Sequence, residues 1–128
     1  MPRPLVATID IAALQHNLDV ARARAPQSRV WAVVKANAYG HGLARAVRGF
    51  AAADGLGLIE PEGAITLREL GWHKRILLLE GCFDEDDLRL AAAQQVDIVV
   101  HSMEQLALLE ATKLETSLHV YLKINSGM

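Results

Sequence analysis

Hydrophobic positions alternate along the chain between two spacings, and each spacing predicts one kind of element. Short unbroken apolar runs predict strands that are buried on both faces of a parallel sheet. Apolar residues three and four positions apart predict amphipathic helices. Six strands are predicted from such runs and from apolar-rich segments, over residues 5–9, 30–34, 55–59, 76–79, 97–100 and 117–124. A helix is predicted between each pair of consecutive strands.

Residues at the predicted helix boundaries agree with this order of elements. Asp10 and Asp84 stand where a helix needs an N-cap acceptor. Ser102 with Gln105 has the spacing of a capping box, and Gly71 fits the end of a helix. Strands that alternate with helices predict parallel strands joined by right-handed crossovers.

Two α/β architectures fit this pattern, an open doubly wound sheet and part of a closed (β/α)8 barrel. Periodicity does not choose between them. A complete barrel takes about 250 residues, whereas the chain has 128 and holds five strand–helix units and a sixth strand. A barrel would therefore be incomplete. The sequence contains no linker and no low-complexity segment, so we expect a single domain or a part of one.

Composition and charge exclude several classes of function. The chain is 52% hydrophobic, enough for a core, and its net charge of −2 comes from interleaved acidic and basic residues. Such a surface predicts no nucleic-acid or anionic-membrane binding. Cys82 is the single cysteine, so no disulfide is possible within the chain. No apolar run approaches the roughly 20 residues of a membrane span, and we expect a cytoplasmic protein.

Polar residues follow the predicted strands at the edge of the sheet where both architectures bind ligands. They are Lys35, Glu60, Glu80, His101 and Lys123. Chains that turn into solvent carry polar residues there anyway, and this interpretation is favoured for Glu60, Glu80 and His101. Lys35 differs because it directly follows four apolar residues, and burying an ammonium is costly. A neutral lysine amine is the form that makes a Schiff base with a carbonyl.

The loop that follows Lys35 suggests which carbonyl compound binds. Gly40 and Gly42 allow close backbone approach, and the next helix start is expected to offer free N–H groups to an anion. Tyr39 can add its hydroxyl to the same anion. A lysine and a phosphate cradle in one loop predict a phosphorylated aldehyde cofactor. A Rossmann fingerprint fits poorly, because Arg45 stands where glycine or alanine is needed.

Residues 33–42, VVKANAYGHG, resemble the cofactor-lysine signature of alanine racemases. The resemblance extends along the chain: residues 8–18 are similar to the family's opening, residues 60–71 to its second barrel unit, and residues 123–128 to the motif after its fifth barrel strand. Ser126 stands there where threonine is commoner. The resemblance favours a TIM-type barrel with about the first five barrel strands, and it puts residues 5–9 in a strand outside the barrel. Residues 1–128 would then be the N-terminal part of the cofactor-binding barrel domain, without the rest of the barrel and the C-terminal β domain.

The resemblance also implies roles for particular residues. Lys35 would hold pyridoxal 5′-phosphate as an aldimine and act as the catalytic acid or base on one face of the substrate Cα. Tyr39 would bind the cofactor phosphate. Lys123 matches a lysine that is carbamylated in many members and orients an arginine, although an ordinary strand-end lysine remains the alternative. The second base would be a tyrosine of the partner subunit in a homodimer, outside these residues.

The activity implied is alanine racemisation, which supplies D-alanine for peptidoglycan or serves catabolism. The isolated chain is expected to be inactive. Two alternatives stay open. One is a racemase with a broader amino-acid range, and the other is a non-catalytic pyridoxal-phosphate-binding barrel protein, whose lysine loop lacks the pattern of residues 37–42. No metal site is predicted, because the acidic residues 84–87 suit a helix N-terminus.

Overall fold

The computed structural model describes residues 3–127, which form one parallel sheet with helical segments between its strands. The strands are β1 (Trp31–Val33), β2 (Gly55–Leu58), β3 (Arg75–Leu78), β4 (Asp97–Val100) and β5 (Val120–Leu122). The helical segments are α1 (Ile11–Arg24), α2 (Lys35–Tyr39), α3 (Leu43–Gly49), α4 (Pro61–Glu69), α5 (Glu85–Ala93) and α6 (Met103–Ala111). The strands pair in the order β1-β2-β3-β4-β5, all in parallel. This sequential order is that of a barrel, because a doubly wound sheet reverses its strand order at a switch point.

The sheet is strongly curved, as the wall of a barrel is. Trp31 lies in β1 and Tyr121 in β5, at opposite edges of the sheet, yet their ring centroids are 6.1 Å apart with the ring planes at 86°. In a flat sheet four strand spacings of about 4.8 Å would separate these edges by about 19 Å. The two rings meet only because the sheet closes towards itself. The incomplete (β/α)8 barrel predicted from the sequence is therefore the fold.

The convex face of the sheet packs against the helices and forms the hydrophobic core. Neighbouring strands contribute side chains in register, such as the row Ala32, Leu56 and Ile76. Leu67 of α4 and Leu88 of α5 are buried against this face. Burying one large aliphatic side chain stabilises the fold by about 1.5–3 kcal/mol, so this layer is the main source of stability.

A polar and aromatic cluster fills the amino-terminal end of the concave face. Arg75 Nε donates to Asp97 Oδ2 at 2.8 Å, and the guanidinium carbon is 5.9 Å from the ring centroids of both Trp31 and Tyr121. Gly55 leaves the space for this arrangement, because a Cβ there would overlap the Trp31 ring. The opposite, carboxyl-terminal end of the concave face carries the predicted site residues.

Helix boundaries follow the predicted signals with one exception. Asp10 Oδ1 accepts from the backbone N–H of Ala12 at 2.8 Å, and Asp84 Oδ1 accepts from that of Asp87 at the same distance. Gly71 ends its helix with φ +89°. The capping box is only half formed: Ser102 Oγ accepts from Gln105 N, but the Gln105 side chain does not return to Ser102.

The predicted strand over residues 5–9 is wrong. Leu5 and Val6 are 90% and 81% exposed, and residues 5–9 pair with no other part of the described chain. A strand needs a neighbour for its N–H and C=O groups, and the described sheet begins only at β1. The last predicted strand is also shorter than expected, since β5 covers only Val120–Leu122. The described chain therefore has four strand–helix units and a fifth strand.

Candidate active site

Lys35 stands two residues after the end of β1, at the carboxyl-terminal edge of the sheet. The residue before it, Val34, is 1% exposed and donates its backbone N–H to Gly57 O at 2.7 Å, which continues the pairing of β1 with β2. Lys35 itself is half-buried, and its Nζ lies 6.0 Å from the centroid of the Tyr39 ring. The sheet thus fixes the backbone of the lysine while the amine stays within reach of a ligand.

The four residues after Lys35 form a left-handed turn that the sequence did not predict. Ala36, Asn37, Ala38 and Tyr39 all have φ between 52° and 55°. Left-handed backbone costs roughly 1–2 kcal/mol at each residue other than glycine. Asn37 fastens the turn, because its Oδ1 accepts from Leu43 N and its carbonyl accepts from Gly42 N, both at 2.9 Å. Strained backbone of this kind clusters at functional sites.

The free N–H groups predicted at the start of the next helix are only partly available: that of Leu43 is bonded, whereas those of Ala44 and Arg45 have no acceptor among residues 3–127. The N–H groups of Gly40, His41, Gly42 and Leu43 all donate to acceptors inside the loop. The left-handed turn is what brings these acceptors close. Tyr39 is the remaining predicted phosphate ligand of the loop, and it is 61% exposed. His41 shapes the loop through a contact of its Nδ1 with Ala38 O at 2.9 Å.

The other strand-end residues differ in what they contact. Glu60 and Glu80 are exposed, as expected for polar residues at points where the chain turns into solvent. His101 is half-buried and its Nε2 lies 3.0 Å from Glu80 O, so it is more than a solvated polar residue. Lys123 is half-buried at the end of β5, where its backbone N–H donates to Val100 O at 2.9 Å.

Gln105 is part of this edge, and sequence reasoning assigned it only a capping role. Its amide is buried and contacts the loops that follow β3 and β4. A glutamine at the third position of a helix looks like a cap in the sequence. Its true partners lie up to 25 positions away, and no local pattern identifies them.

Two further residues with a reactive or aromatic side chain have structural roles. Cys82 is buried, and burial raises the pKa of its thiol to about 12, with the carboxylates of Asp87 and Asp84 adding to the rise. Trp72 is buried and donates its ring N–H to Arg75 O. Within residues 3–127 no three His, Cys, Asp or Glu side chains converge as metal ligands would. None of the helices in that range has the length and hydropathy to cross a membrane.

Fold and site together define a class of protein: a parallel β/α barrel segment with a lysine at the carboxyl end of its first strand. Comparison with known proteins narrows this class. Residues 9–128 match the family model described as "Alanine racemase, N-terminal domain". The chain belongs to the alanine racemase family.

Individual relatives agree with the family match. An alanine racemase of Janthinobacterium sp. (strain Marseille) is 67% identical over the whole chain, which spans 36% of that protein. The crystal structure of the biosynthetic alanine racemase from Pseudomonas aeruginosa superposes with a TM-score of 0.94 at 44% identity, over 99% of this chain and 36% of that one. A histidine racemase from Leuconostoc mesenteroides has a TM-score of 0.67 at 33% identity, over 77% of this chain and 27% of that one. The chain thus spans about a third of the length of these relatives.

Proposed function

We propose that residues 1–128 are the N-terminal part of the cofactor-binding barrel domain of an alanine racemase, which interconverts L-alanine and D-alanine. The observation that carries this proposal is the position of Lys35. It stands at the carboxyl end of the first barrel strand, in a strained loop whose sequence resembles the family signature. The relatives support the proposal, since the proteins similar over the whole chain are named alanine racemases.

The residues at the site fit pyridoxal 5′-phosphate, which we propose as the cofactor. Lys35 offers a half-buried amine for the aldehyde, and Tyr39 offers an exposed hydroxyl for the phosphate, within one five-residue segment. The N–H groups of residues 40–43 are already bonded, so further phosphate ligands would come from the first turn of α3 or from elsewhere in the protein. When bound, the cofactor withdraws electrons from the substrate Cα–H bond and makes its proton acidic.

The chain's own residues would bind the cofactor and move one proton. Lys35 Nζ would hold the cofactor and, once freed by substrate, would take the Cα proton or return it on one face. Tyr39 would orient the cofactor through its phosphate. Lys123 would contribute to the same edge from β5, either as an ammonium or, after carbamylation, as an anion that positions an arginine. By the resemblance to the family, a base on the opposite face of Cα would come from outside these residues.

The partners are proposed from the resemblance to alanine racemases. We propose that the small-molecule substrate binds where this barrel segment meets the remaining part of the enzyme, and that the complete enzyme is a cytoplasmic homodimer whose second subunit supplies the opposing base. D-Alanine formed in this way would serve as a peptidoglycan precursor. Nucleic acid and membrane are not proposed as partners.

The experiment is reductive trapping with pyridoxal phosphate. The complete polypeptide that contains these residues is mixed with the cofactor and treated with borohydride, which converts a lysine–aldehyde adduct into a stable secondary amine. Peptide mass mapping should find the cofactor on Lys35. Lys74 is a matched control, because its Nζ already donates to the carbonyls of Ala51 and Ala53 and should stay unlabelled. Equal labelling of both lysines would contradict the proposal.

A racemase of another or a broader amino-acid range is the second candidate. The similarity to the histidine racemase from Leuconostoc mesenteroides favours it, because a related barrel in that protein is named for a different substrate. A panel of L-amino acids with the complete enzyme separates the two, since alanine specificity requires the highest kcat/KM for alanine. Cofactor on Lys35 without racemisation of any amino acid would indicate the non-catalytic cofactor-binding protein instead.

A further inference from the structure

Gln105 is one of the most deeply buried polar side chains among residues 3–127, at 6% exposure. It lies in the first turn of α6, and its amide makes three hydrogen bonds. Oε1 accepts from His101 N at 2.9 Å, and Nε2 donates to Glu80 O at 2.7 Å and to Cys82 O at 3.3 Å. Both ends of the amide are used, so its orientation is fixed by its partners.

These bonds join the loop after β3 to the loop after β4. The Glu80 carbonyl accepts from Gln105 and lies 3.0 Å from His101 Nε2. Because a carbonyl only accepts, that His101 nitrogen carries the proton. Gly81 lets the loops approach, since it has φ +77° and a Cβ there would overlap Val99 O. The amide therefore closes a small network between two neighbouring strand ends.

This network borders the same mouth as Lys35. Carboxyl ends of parallel barrel strands meet at one face, and the Trp31–Tyr121 contact shows that the described sheet is curved enough to bring its edges together. A shift of the loops after β3 and β4 would move Glu80 and His101 relative to whatever Lys35 holds. An amide held by three bonds resists such a shift, because each lost bond would leave a buried polar group unpaired.

We propose that Gln105 is a positioning residue, which holds Glu80 and His101 at the mouth of the Lys35 site through its buried amide. The proposal rests on the proposed function. It requires that cofactor affinity and turnover depend on the amide itself and not only on the stability of α6.

Two substitutions in the complete racemase test this role. Gln105→Met keeps the volume but removes all three hydrogen bonds, and we expect about tenfold weaker binding of pyridoxal phosphate and a lower kcat/KM. In Gln105→Glu the introduced carboxyl is buried, so its pKa rises and it can be protonated near neutral pH. The protonated carboxyl supplies the acceptor for His101 N and one of the two donors of the amide, so it restores two of the three hydrogen bonds. Cofactor affinity of this variant should therefore recover as the pH falls from about 8.5 to about 6, relative to wild type.

Thr112→Val is the matched control. Thr112 is also buried in the α6 region, but its Oγ1 donates to Leu108 O at 2.7 Å within the helix and away from the loops. This variant should lose thermal stability and keep cofactor affinity within twofold of wild type. Affinity is measured by equilibrium dialysis and stability by thermal unfolding, for each variant and at each pH.

The results distinguish the possible failures. If Gln105→Met binds the cofactor as tightly as Thr112→Val does, or if the affinity of Gln105→Glu does not respond to pH relative to wild type, Gln105 is only structural and the inference is overturned. If Gln105→Met does not fold, the pH response of Gln105→Glu decides alone. If the wild-type enzyme holds no cofactor on Lys35, the proposed function fails first, and the inference falls with it.

Discussion

The backbone of the residues next to Lys35 is strained, and this strain shapes the candidate site. The turn from Ala36 to Tyr39 keeps four non-glycine residues at positive φ, and the hydrogen bonds made by Asn37 offset part of that cost. The same turn sets Tyr39 over the amine of Lys35. At this scale the geometry of the site depends on side chains that do no chemistry themselves.

Replacing Asn37 tests how much the turn contributes. Asn37→Ala removes the acceptor for Leu43 N, and loss of such a cap costs about 1 kcal/mol. We expect a small fall in melting temperature and severalfold weaker binding of pyridoxal phosphate by the complete enzyme, measured by dialysis. Gln15→Ala, on the exposed side of α1, is the control. Unchanged cofactor affinity in Asn37→Ala would show that the turn does not set the site.

The stability of the folded protein should depend on pH through the buried thiol of Cys82. Its pKa is raised to about 12 from 9.0 by burial, so the folded state binds the proton more tightly than the unfolded state. The stability from burying the neutral thiol is complete below pH 9 and is lost as the pH rises from about 9 towards 12. The difference in melting temperature between wild type and Cys82→Ala should shrink over that range. A constant difference from pH 8 to pH 11 would contradict the assignment.

Elements are joined at the amino-terminal side of the sheet by the guanidinium of Arg68. It donates to the carbonyls of Gln94 and Gln95 at the end of α5, and to those of Trp72 and Lys74 in the loop before β3. One planar side chain in this way satisfies four carbonyls from two neighbouring units. Arg68 is one residue in the stretch that resembles the family's second barrel unit.

A positive charge alone should not replace the hydrogen bonds that the Arg68 guanidinium makes. Arg68→Met should lower the free energy of unfolding by about 1–3 kcal/mol, because four carbonyls lose their donor and those of Gln94 and Trp72 are partly buried. Arg68→Lys should recover little, since an ammonium lacks the planar fork. Urea unfolding of the complete enzyme measures both variants. Full recovery by lysine would mean that the charge, and not the geometry, stabilises the fold.

Some of the strands, caps and turns were predicted correctly from the sequence, and others were not. The strand over residues 97–100 and the caps Asp10 and Asp84 were predicted correctly, because apolar runs and capping residues are local signals. The left-handed turn and the partners of Gln105 were missed. The partners of Gln105 lie up to 25 positions away, outside any short window. The turn is closed by bonds within residues 36–43, and it was missed because non-glycine residues rarely adopt positive φ. The strand at residues 5–9 was predicted from its composition, but a strand forms only where a partner strand exists.

At the scale of the whole molecule, the curved sheet leaves apolar surface on its last strand. Val120 of β5 is 47% exposed, while Leu122 and Ile124 are 78% and 82% exposed. The outer edge of β5 has no neighbour within the described residues. Apolar surface and an unpaired edge of this kind favour association with another chain or segment.

Residues 1–128 expressed alone should therefore self-associate or fold only with the rest of the polypeptide. Light scattering coupled to size-exclusion chromatography should show species larger than the 13.9 kDa monomer. Leu122→Lys with Ile124→Lys should reduce that association by charging the exposed face. A monomeric, cooperatively unfolding wild-type fragment would contradict this expectation.

Racemisation of L-alanine in deuterated water by the complete enzyme, with and without Lys35, shows whether this lysine holds the cofactor and moves the proton. We predict D-alanine that carries deuterium at Cα, formed by the wild type with pyridoxal phosphate. The rate should fall by about a thousandfold or more in Lys35→Ala, because the residue both holds the cofactor and moves the proton. Deuterium incorporation that survives in Lys35→Ala, or no racemisation by the wild type, would contradict the account.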